Sequence, residues 1–465
     1  MNKLFEDYKK QLRDKRIAAV GLGISNRPLV KYLADQGMEV TGFDNASYEK
    51  LKDFVDEFSR YKNVRFFLGE NCLDELSGFD VIFKTPAMRP DLKPFLREIN
   101  RGAVLTSEIE ALIENCPAEI FAVTGSDGKT TTTTLIGMML EEQGYKVWVG
   151  GNIGTPLFDK LDEIDEDHKV VLELGSFQLQ TLKKKSPGIS VITNISPNHL
   201  DFHLSMEEYV DSKKNIYKHQ DGSGRLILNL DNETTRGFRH EAKGEVLFFS
   251  IREIPEKGAY MKESKLYLRD GSRDTFLMNA SEVKLKGLHN IENLLAAITA
   301  VDGHVDPESI RKVASGFMGV EHRMEYVKEV NGVSFYNDSI GSTPTRTCAS
   351  LQAFDGKLIL IAGGYDKHIP YDIMGELIAE KVKALVLIGQ TGPLIKQAYL
   401  KETEKRNLAP VPIVEADRLS EAVQEAFKLA VKGDTVILSP ASASYDMFPN
   451  FEIRGKLFKD CVNRL

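Results

Sequence analysis

Short runs of almost purely apolar residues recur along the chain, and they constrain its fold more than any other feature. A strand that is apolar on both faces needs cover on both. Where such strands alternate with amphipathic helical stretches, a parallel sheet with helices on either side satisfies them. The runs fall into three sets: residues 16–23, 39–44, 64–69, 80–86 and 103–107; residues 120–125, 147–152, 170–174, 189–195 and 226–230; and residues 333–338, 358–363, 385–389, 411–415 and 435–440. The 465 residues, at roughly 150 per domain, also predict three domains. The expected class is α/β, with domains over 1–107, 108–319 and 320–465. Between 241 and 285 the pattern changes to short alternating segments, 246–249, 260–268 and 283–285, with glycine-rich turns. These predict an antiparallel edge added to the central domain. The acidic stretch 159–167 reads as a solvated loop.

Composition narrows the function classes. Hydrophobic residues are 42% and charged residues 28%, which excludes disorder and collagen-like repeats. The 60 Lys and Arg against 68 Asp and Glu leave a net charge of −8. That argues against a broad basic face for nucleic acid, but leaves room for a local basic pocket that takes an anion. Cys72, Cys116, Cys348 and Cys461 show no metal-type spacing and read as reduced thiols. The charged start is unlike a signal peptide, and no apolar run approaches the roughly 20 residues of a membrane span. A cytoplasmic protein is expected.

The sharpest local signal opens the second set. A strand over 120–124 runs into Gly125, Ser126, Asp127, Gly128, Lys129 and Thr130, and a helix follows to residue 143, closed by Gly144. Glycines permit the turn that aims successive amides at phosphate oxygens. The helix N-terminus adds partial positive charge. Lys129 can reach the terminal phosphates and the Thr130 hydroxyl can ligate Mg²⁺. The longer Walker spacing would need a glycine where Val123 stands.

Other segments are less specific. Gly21 and Gly23 follow the first strand, and Asp44 ends the next, where a ribose-binding acid would stand. Arg27 and Pro28 replace the rest of that fingerprint, so a nucleotide site and a ligand-free turn fit equally. Alone, the segment suggests a nicotinamide oxidoreductase, a reading that leaves Lys129 and Thr130 without a role. Asn198, His199, Asp201 and His203 follow the strand 189–195. His199, Asp201 and His203 read as metal ligands, or the segment as a helix start capped by Asp201. His199, at a strand's C-terminal end, is read as functional and His203 as structural. Glu173 is an acid inside a buried-strand pattern, hence a metal ligand or the partner of a structural lysine. Nothing local singles out Lys213. A non-catalytic ATP-binding switch stands as the alternative to an enzyme.

The chain resembles the Mur ligases, ATP-dependent amide-forming enzymes of peptidoglycan precursor synthesis. The resemblance covers the whole chain. It rests on the phosphate loop, on Gly150, Gly151, Asn152, Gly154, Thr155 and Pro156, and on the run from Glu173 to Leu179. It rests also on Gly287, Leu288, His289, Asn290 and Asn293, and on the stretches 439–444 and 450–455. It implies a Rossmann-like N-terminal domain for a UDP-linked substrate and a P-loop-type central domain for ATP. It also implies a Rossmann-like C-terminal domain that contributes to amino-acid binding. The implied substrates are UDP-N-acetylmuramoyl-L-alanine and D-glutamate, joined through an acyl phosphate and a tetrahedral intermediate.

By the same resemblance, Ile24, Ser25, Asp44, Thr85 and Asn152 would hold the UDP-sugar. Gly125 to Thr130, with Thr131 and Thr132, would hold the triphosphate, and Asn290 and Asn293 the adenine. Arg323 and Asp338 would close over ATP from the C-terminal domain. Ser342, Lys367, Ser444, Tyr445 and Phe451 would grip D-glutamate, although core packing explains Phe451 equally well. Lys129, Glu173, His199 and Lys213 would form the catalytic set. Thr130 and Glu173 would ligate Mg²⁺, His199 a second ion, and Lys213 would carry a CO₂-derived carbamate; Mn²⁺ could serve in place of Mg²⁺. Only a neutral amine captures CO₂, and about 4 in 10,000 ordinary lysines are neutral at pH 7. Burial or a nearby cation must therefore lower the pKa of Lys213. Domain closure is expected, in a monomer with no nucleic-acid or membrane partner. Three positions depart from the family pattern: Ile340 stands where many members have lysine, Asn198 replaces an acid, and Asp127 replaces an asparagine.

Overall fold

The computed structural model describes residues 2–196, 202–285, 287–354, 356–366 and 369–465. Asn198, His199, Asp201 and Lys367 lie outside the described residues. The chain divides into two compact units, Met1–Phe317 and Met318–Leu465.

Met1–Phe317 holds two all-parallel sheets. The first comprises β1 (Ile17–Val20), β2 (Val40–Asp44), β3 (Val64–Leu68), β4 (Val81–Lys84) and β5 (Val104–Thr106), in the order β3-β2-β1-β4-β5. β1 is buried along its whole length, as a central strand covered on both faces must be. The order reverses between β1 and β4, so the turns after those two strands flank the crevice where open sheets of this kind take ligands.

The second sheet comprises β6 (Glu119–Thr124), β7 (Val147–Gly151), β8 (Lys169–Glu173), β9 (Ile189–Ile192), β10 (Arg225–Asn229) and β11 (Glu245–Phe249), in the order β11-β10-β9-β6-β8-β7. β6 lies between β8 and β9, so the chain leaving β6 emerges between their C-terminal ends. One continuous apolar core spans both sheets. At its centre the Phe5 ring meets Phe158 edge-on at 5.4 Å and stacks on Tyr32 at 5.6 Å. The acidic stretch 159–167 is more than a solvated loop. Leu161 and Ile164 are fully buried, while Asp162 accepts hydrogen bonds from Lys9 and Tyr32.

The antiparallel addition expected over 241–285 is present, but its strands are not the expected ones. β11 pairs in parallel with β10 and completes the second sheet, not an antiparallel edge. The segment 260–268 is two strands. β12 (Lys257–Lys262), β13 (Lys265–Asp270) and β14 (Arg273–Asn279) form a separate antiparallel sheet, with β12 turning into β13 at Glu263 and Ser264. Residues 283–285 form no strand.

Met318–Leu465 carries one sheet: β15 (Glu325–Val330), β16 (Val333–Asn337), β17 (Leu358–Gly363), β18 (Val382–Ile388), β19 (Ile413–Glu415) and β20 (Thr435–Leu438), in the order β15-β16-β20-β17-β18-β19. Only β15 runs antiparallel to its neighbour. All four cysteines are free thiols. Among the described residues no helix is long and apolar enough to cross a membrane.

Candidate active site

The loop after β6 has the form the motif requires. Gly128 precedes the helix Lys129–Glu142 with φ of 80°. A Cβ there would stand 2.0 Å from Asn293 Oδ1, so the close approach of Asn293 also demands glycine. Asn293 belongs to the helix Leu288–Ala300 and donates to Asn290 Oδ1 at 3.4 Å, which places both predicted adenine contacts beside the loop. Thr130, Thr131 and Thr132 are buried in the helix's first turn. The chain after β9 braces the loop from the other side. Asp127 N donates to Asn194 Oδ1 at 3.0 Å, and its carbonyl accepts from Thr193 Oγ1 at 2.6 Å and Asn194 Nδ2 at 3.1 Å. The Ser126 hydroxyl lies 2.9 Å from the Tyr209 hydroxyl and donates to Ser196 O at 2.9 Å.

Two lysines converge on one carbonyl. Lys129 Nζ donates to Gly125 O at 3.0 Å and to Ser126 O at 2.8 Å. Lys213 Nζ, from the helix Met206–Lys218, donates to Gly125 O at 2.7 Å and to Thr124 Oγ1 at 3.3 Å. Lys213 is 2% exposed, and its Nζ lies 4.8 Å from the Tyr209 ring centroid. Burial pushes its pKa well below the ordinary lysine value, and the Lys129 charge pushes the same way; Asp127 and Glu173 oppose more weakly.

Glu173, the last residue of β8, is 1% exposed. Its Oε1 accepts from Asn152 Nδ2 at 2.6 Å, and its buried Oε2 has no hydrogen-bond partner among the described residues. Such an orphaned carboxylate oxygen is what a cation site leaves when its protein groups alone are considered. Among the described residues no three His, Cys, Asp or Glu gather as a metal cage. The Glu173 carboxylate oxygen is of the hard donor type that Mg²⁺ takes, as is the Thr130 hydroxyl in the first turn of the helix after the loop. His203 is buried 2.9 Å from Ser176 Oγ and packs among Phe177, Phe202 and Tyr209, a structural setting.

Of the predicted UDP-sugar residues, Ile24, Ser25, Asp44 and Thr85 lie at the C-terminal ends of the first sheet's strands, and Asn152 follows β7 of the second sheet. Ile24, Ser25 and Asn152 line a cavity of about 220 Å³, with Pro86, Glu108 and Phe177 among the other walls. Asp44 acts on the turn itself: its carboxylate accepts from Leu22 N at 2.7 Å and Ala46 N at 2.8 Å. Thr85 packs so tightly on Gly21 that a Cβ there would meet Thr85 Cγ2 at 2.4 Å.

In Met318–Leu465, Asp338 is 1% exposed and spends its oxygens internally, on the hydroxyls of Ser350 at 2.6 Å and Ser439 at 2.7 Å and on Met324 N at 3.3 Å. Arg323 follows a short turn in which its N–H donates to Val320 O at 3.0 Å. Ser444 is buried, and its carbonyl accepts from Met447 N and Phe448 N. Tyr445 is 67% exposed, its ring edge-on to Tyr365. Phe451 opens the last helix and lies edge-on to His322, and its carbonyl accepts from Ser339 Oγ at 2.7 Å. Ser342 is half-buried in the turn that follows Asp338.

The Mur ligase middle domain profile matches residues 123–301, and the Mur ligase, glutamate ligase domain profile matches residues 322–442. The chain is 55% identical over 466 residues to the UDP-N-acetylmuramoylalanine--D-glutamate ligase of Acetivibrio thermocellus, and 52% identical over 463 residues to that of Clostridium kluyveri; each match spans 100% of both chains. The chain belongs to the Mur ligase family. Its fold is shared with MurF from Acinetobacter baumannii at a TM-score of 0.57 and 17% identity, covering 100% of this chain and 98% of that one. It is shared also with a pseudomurein peptide ligase type C from Methanothermus fervidus, at a TM-score of 0.54 and 19% identity over 97% of this chain and 100% of that one.

Four residues that brace the loop or line the cavity escape a linear reading: Thr193, Asn194, Tyr209 and Glu108. Tyr209 carries a usable signal, since it lies four residues before Lys213 and so on the same helix face. Thr193 and Asn194 act only through a loop more than sixty residues earlier in the chain.

Proposed function

We propose that this Mur ligase joins D-glutamate to UDP-N-acetylmuramoyl-L-alanine, using ATP, in peptidoglycan precursor synthesis. One observation carries the reading: phosphate-loop Lys129, desolvated Lys213 and orphaned Glu173 are gathered around the end of β6, next to a cavity bordered by the turn after β1. The full-length relatives named for this reaction support the choice of acceptor.

A carboxylate resists attack by an amine because its charge repels the incoming lone pair. Transfer of the γ-phosphoryl group to the alanyl carboxylate forms a C–O–P linkage and releases ADP. The neutral amine of D-glutamate then adds to that carbonyl, and the tetrahedral intermediate expels phosphate as the amine loses its proton. Catalysis in the first step is mostly positioning and neutralisation of charge. The loop amides and Lys129 serve that purpose, and Asn290 and Asn293 hold the adenine. Thr130 and Glu173 hold Mg²⁺ or Mn²⁺, which offsets phosphate charge when bound. Lys213, whose pKa burial lowers, would take up CO₂ as a carbamate with loss of a proton and so offer an oxygen donor to metal, and His199 would serve a second ion.

Ile24, Ser25, Asp44, Thr85 and Asn152 position the UDP-sugar. Arg323 and Asp338 serve ATP, and Ser342, Lys367, Ser444, Tyr445 and Phe451 serve D-glutamate. We place the enzyme in the cytoplasm as a monomer, with domains over 1–107, 108–319 and 320–465 and no nucleic-acid or membrane partner.

The test is phosphate release from ATP with UDP-N-acetylmuramoyl-L-alanine and a panel of amino-acid acceptors. D-Glutamate should be preferred. Release that is equally fast without an acceptor, or preference for L-glutamate or a diamino acid, refutes the reading.

A further inference from the structure

Glu108 opens the helix Glu108–Asn115, directly after the N-cap Ser107, whose hydroxyl accepts from Glu110 N. Acidic residues suit this position because they complement the helix's positive end, and they normally face water. This one is 6% exposed. The chain at Phe158 covers it, with Phe158 N donating to Glu108 Oε1 at 3.2 Å. Glu108 nevertheless lines the cavity of about 220 Å³ between the turn after β1 and the loops after β7 and β8.

It is the one ionisable side chain among the described residues that line this cavity. The other polar side chains there, Ser25, Asn152 and Gln178, are neutral. Burial pushes the Glu108 pKa up to about 7, against the pull of the Phe158 and Leu157 amides. A carboxyl at the edge of ionisation, with no cation in the lining to balance it, repels phosphate oxygens. The cavity therefore suits a neutral moiety rich in hydrogen-bond donors. A carboxylate offers about four acceptor positions, of which the two amides use two.

Position identifies the moiety. One wall is the Ile24–Ser25 turn of the first sheet. Another is Asn152, which donates to Glu173 at 2.6 Å beside the phosphate loop. A substrate reaching from the first sheet to that loop crosses between these walls. The volume is below the roughly 300–1,000 Å³ of a pocket that holds a whole drug-sized ligand, so it takes one part of the molecule.

We propose that Glu108 is a substrate-binding residue that accepts a hydrogen bond from an N–H or O–H of the neutral sugar–lactoyl part of the nucleotide-linked substrate, between its diphosphate and its reacting carboxylate. The proposal rests on the function given above.

Full-length Glu108→Gln and Glu108→Asp are compared with the unaltered chain in the phosphate-release assay. Glutamine keeps the size and an acceptor for the Phe158 amide; aspartate keeps the charge but retracts it. In both variants KM for UDP-N-acetylmuramoyl-L-alanine should rise about tenfold or more, as for loss of a charge-assisted hydrogen bond. The kcat and the KM values for ATP and D-glutamate should stay within about twofold of the unaltered chain. Substrate analogues, each lacking one sugar or amide donor, provide the second readout. One analogue should bind less well to the unaltered chain, yet as well as the parent substrate to Glu108→Gln. An unchanged KM in both variants, or equal losses for every analogue in chain and variant, overturns the role of Glu108 alone. Failure of the unaltered chain to turn over the UDP-linked substrate overturns the functional reading and this proposal with it.

Discussion

Glu108→Gln also makes a thermodynamic prediction whose size follows from burial. The carboxyl titrates near 4.5 in the unfolded chain and at about 7 in the folded one. Between those values the folded protein holds a proton that the unfolded chain has released. The raised pKa therefore contributes stability that is fully present below pH 4.5 and is lost as pH rises through 7. At about 1.4 kcal/mol per pH unit the whole loss is about 3 kcal/mol, of which about 2.5 kcal/mol falls between roughly pH 5 and pH 8. Glutamine does not titrate, so the variant lacks this loss. Near pH 5 the two proteins should unfold at similar urea concentrations, and near pH 8 the variant should be the more stable by about 2.5 kcal/mol. Every other titrating group is shared, so the difference isolates residue 108. Trp148, the only tryptophan, lies in β7 and reports on Met1–Phe317 by fluorescence, whatever the second unit does. Parallel stability curves across this pH range would refute the claim that burial raises the pKa of this carboxyl.

Three substitutions test the phosphate loop and its neighbours. Lys129→Ala should lower kcat on the order of a thousandfold with the circular dichroism spectrum unchanged; near-normal turnover would remove the loop from the mechanism. Lys213→Ala should be inactive and partly rescued by short carboxylic acids in the assay, which an active variant would contradict. Gly128→Ala forces a side chain into positive φ, at about 1–2 kcal/mol, and against Asn293 Oδ1. Its KM for ATP should rise about tenfold, measured with the UDP-linked substrate saturating.

The parallel strands are readable because burial on both faces leaves them continuously apolar. β17, buried at every position, is the extreme case. β15 has no such run: it is an edge strand, mostly half-exposed and carrying Glu325, Lys328 and Glu329. Its readable signal is the Asn331–Gly332 pair that turns it into β16, with φ of 52° and 80°. The β12–β13 turn gives no comparable signal. Glu263 and Ser264 both adopt positive φ without a glycine or asparagine to announce it. β11 reads as an alternating antiparallel strand because an edge strand of a parallel sheet is covered on fewer sides than a central one. The phosphate loop is legible because its chemistry lies within six consecutive residues. Glu108 is not, since an acid in a helix's first turn is ordinarily solvated, and only the fold brings Phe158 over it.

Lys213 shows why the remainder of the site needs three dimensions. A helix lysine is normally charged and wet, and no neighbour in sequence changes that. What changes it is burial in the folded chain, and the approach of Lys129, which donates to the same Gly125 O, 88 residues before Lys213. Two ammonium groups on one carbonyl repel each other, and the more deeply buried of the two loses most by staying charged. Lys129 of the phosphate loop thus adds to the effect of burial in lowering the pKa of the lysine behind it. In the proposed mechanism Lys129 neutralises phosphate charge, and the lowered pKa of Lys213 favours the neutral amine that carbamate formation requires. Burial, reinforced by the repulsion between the two charges, is what separates side chains of identical chemistry.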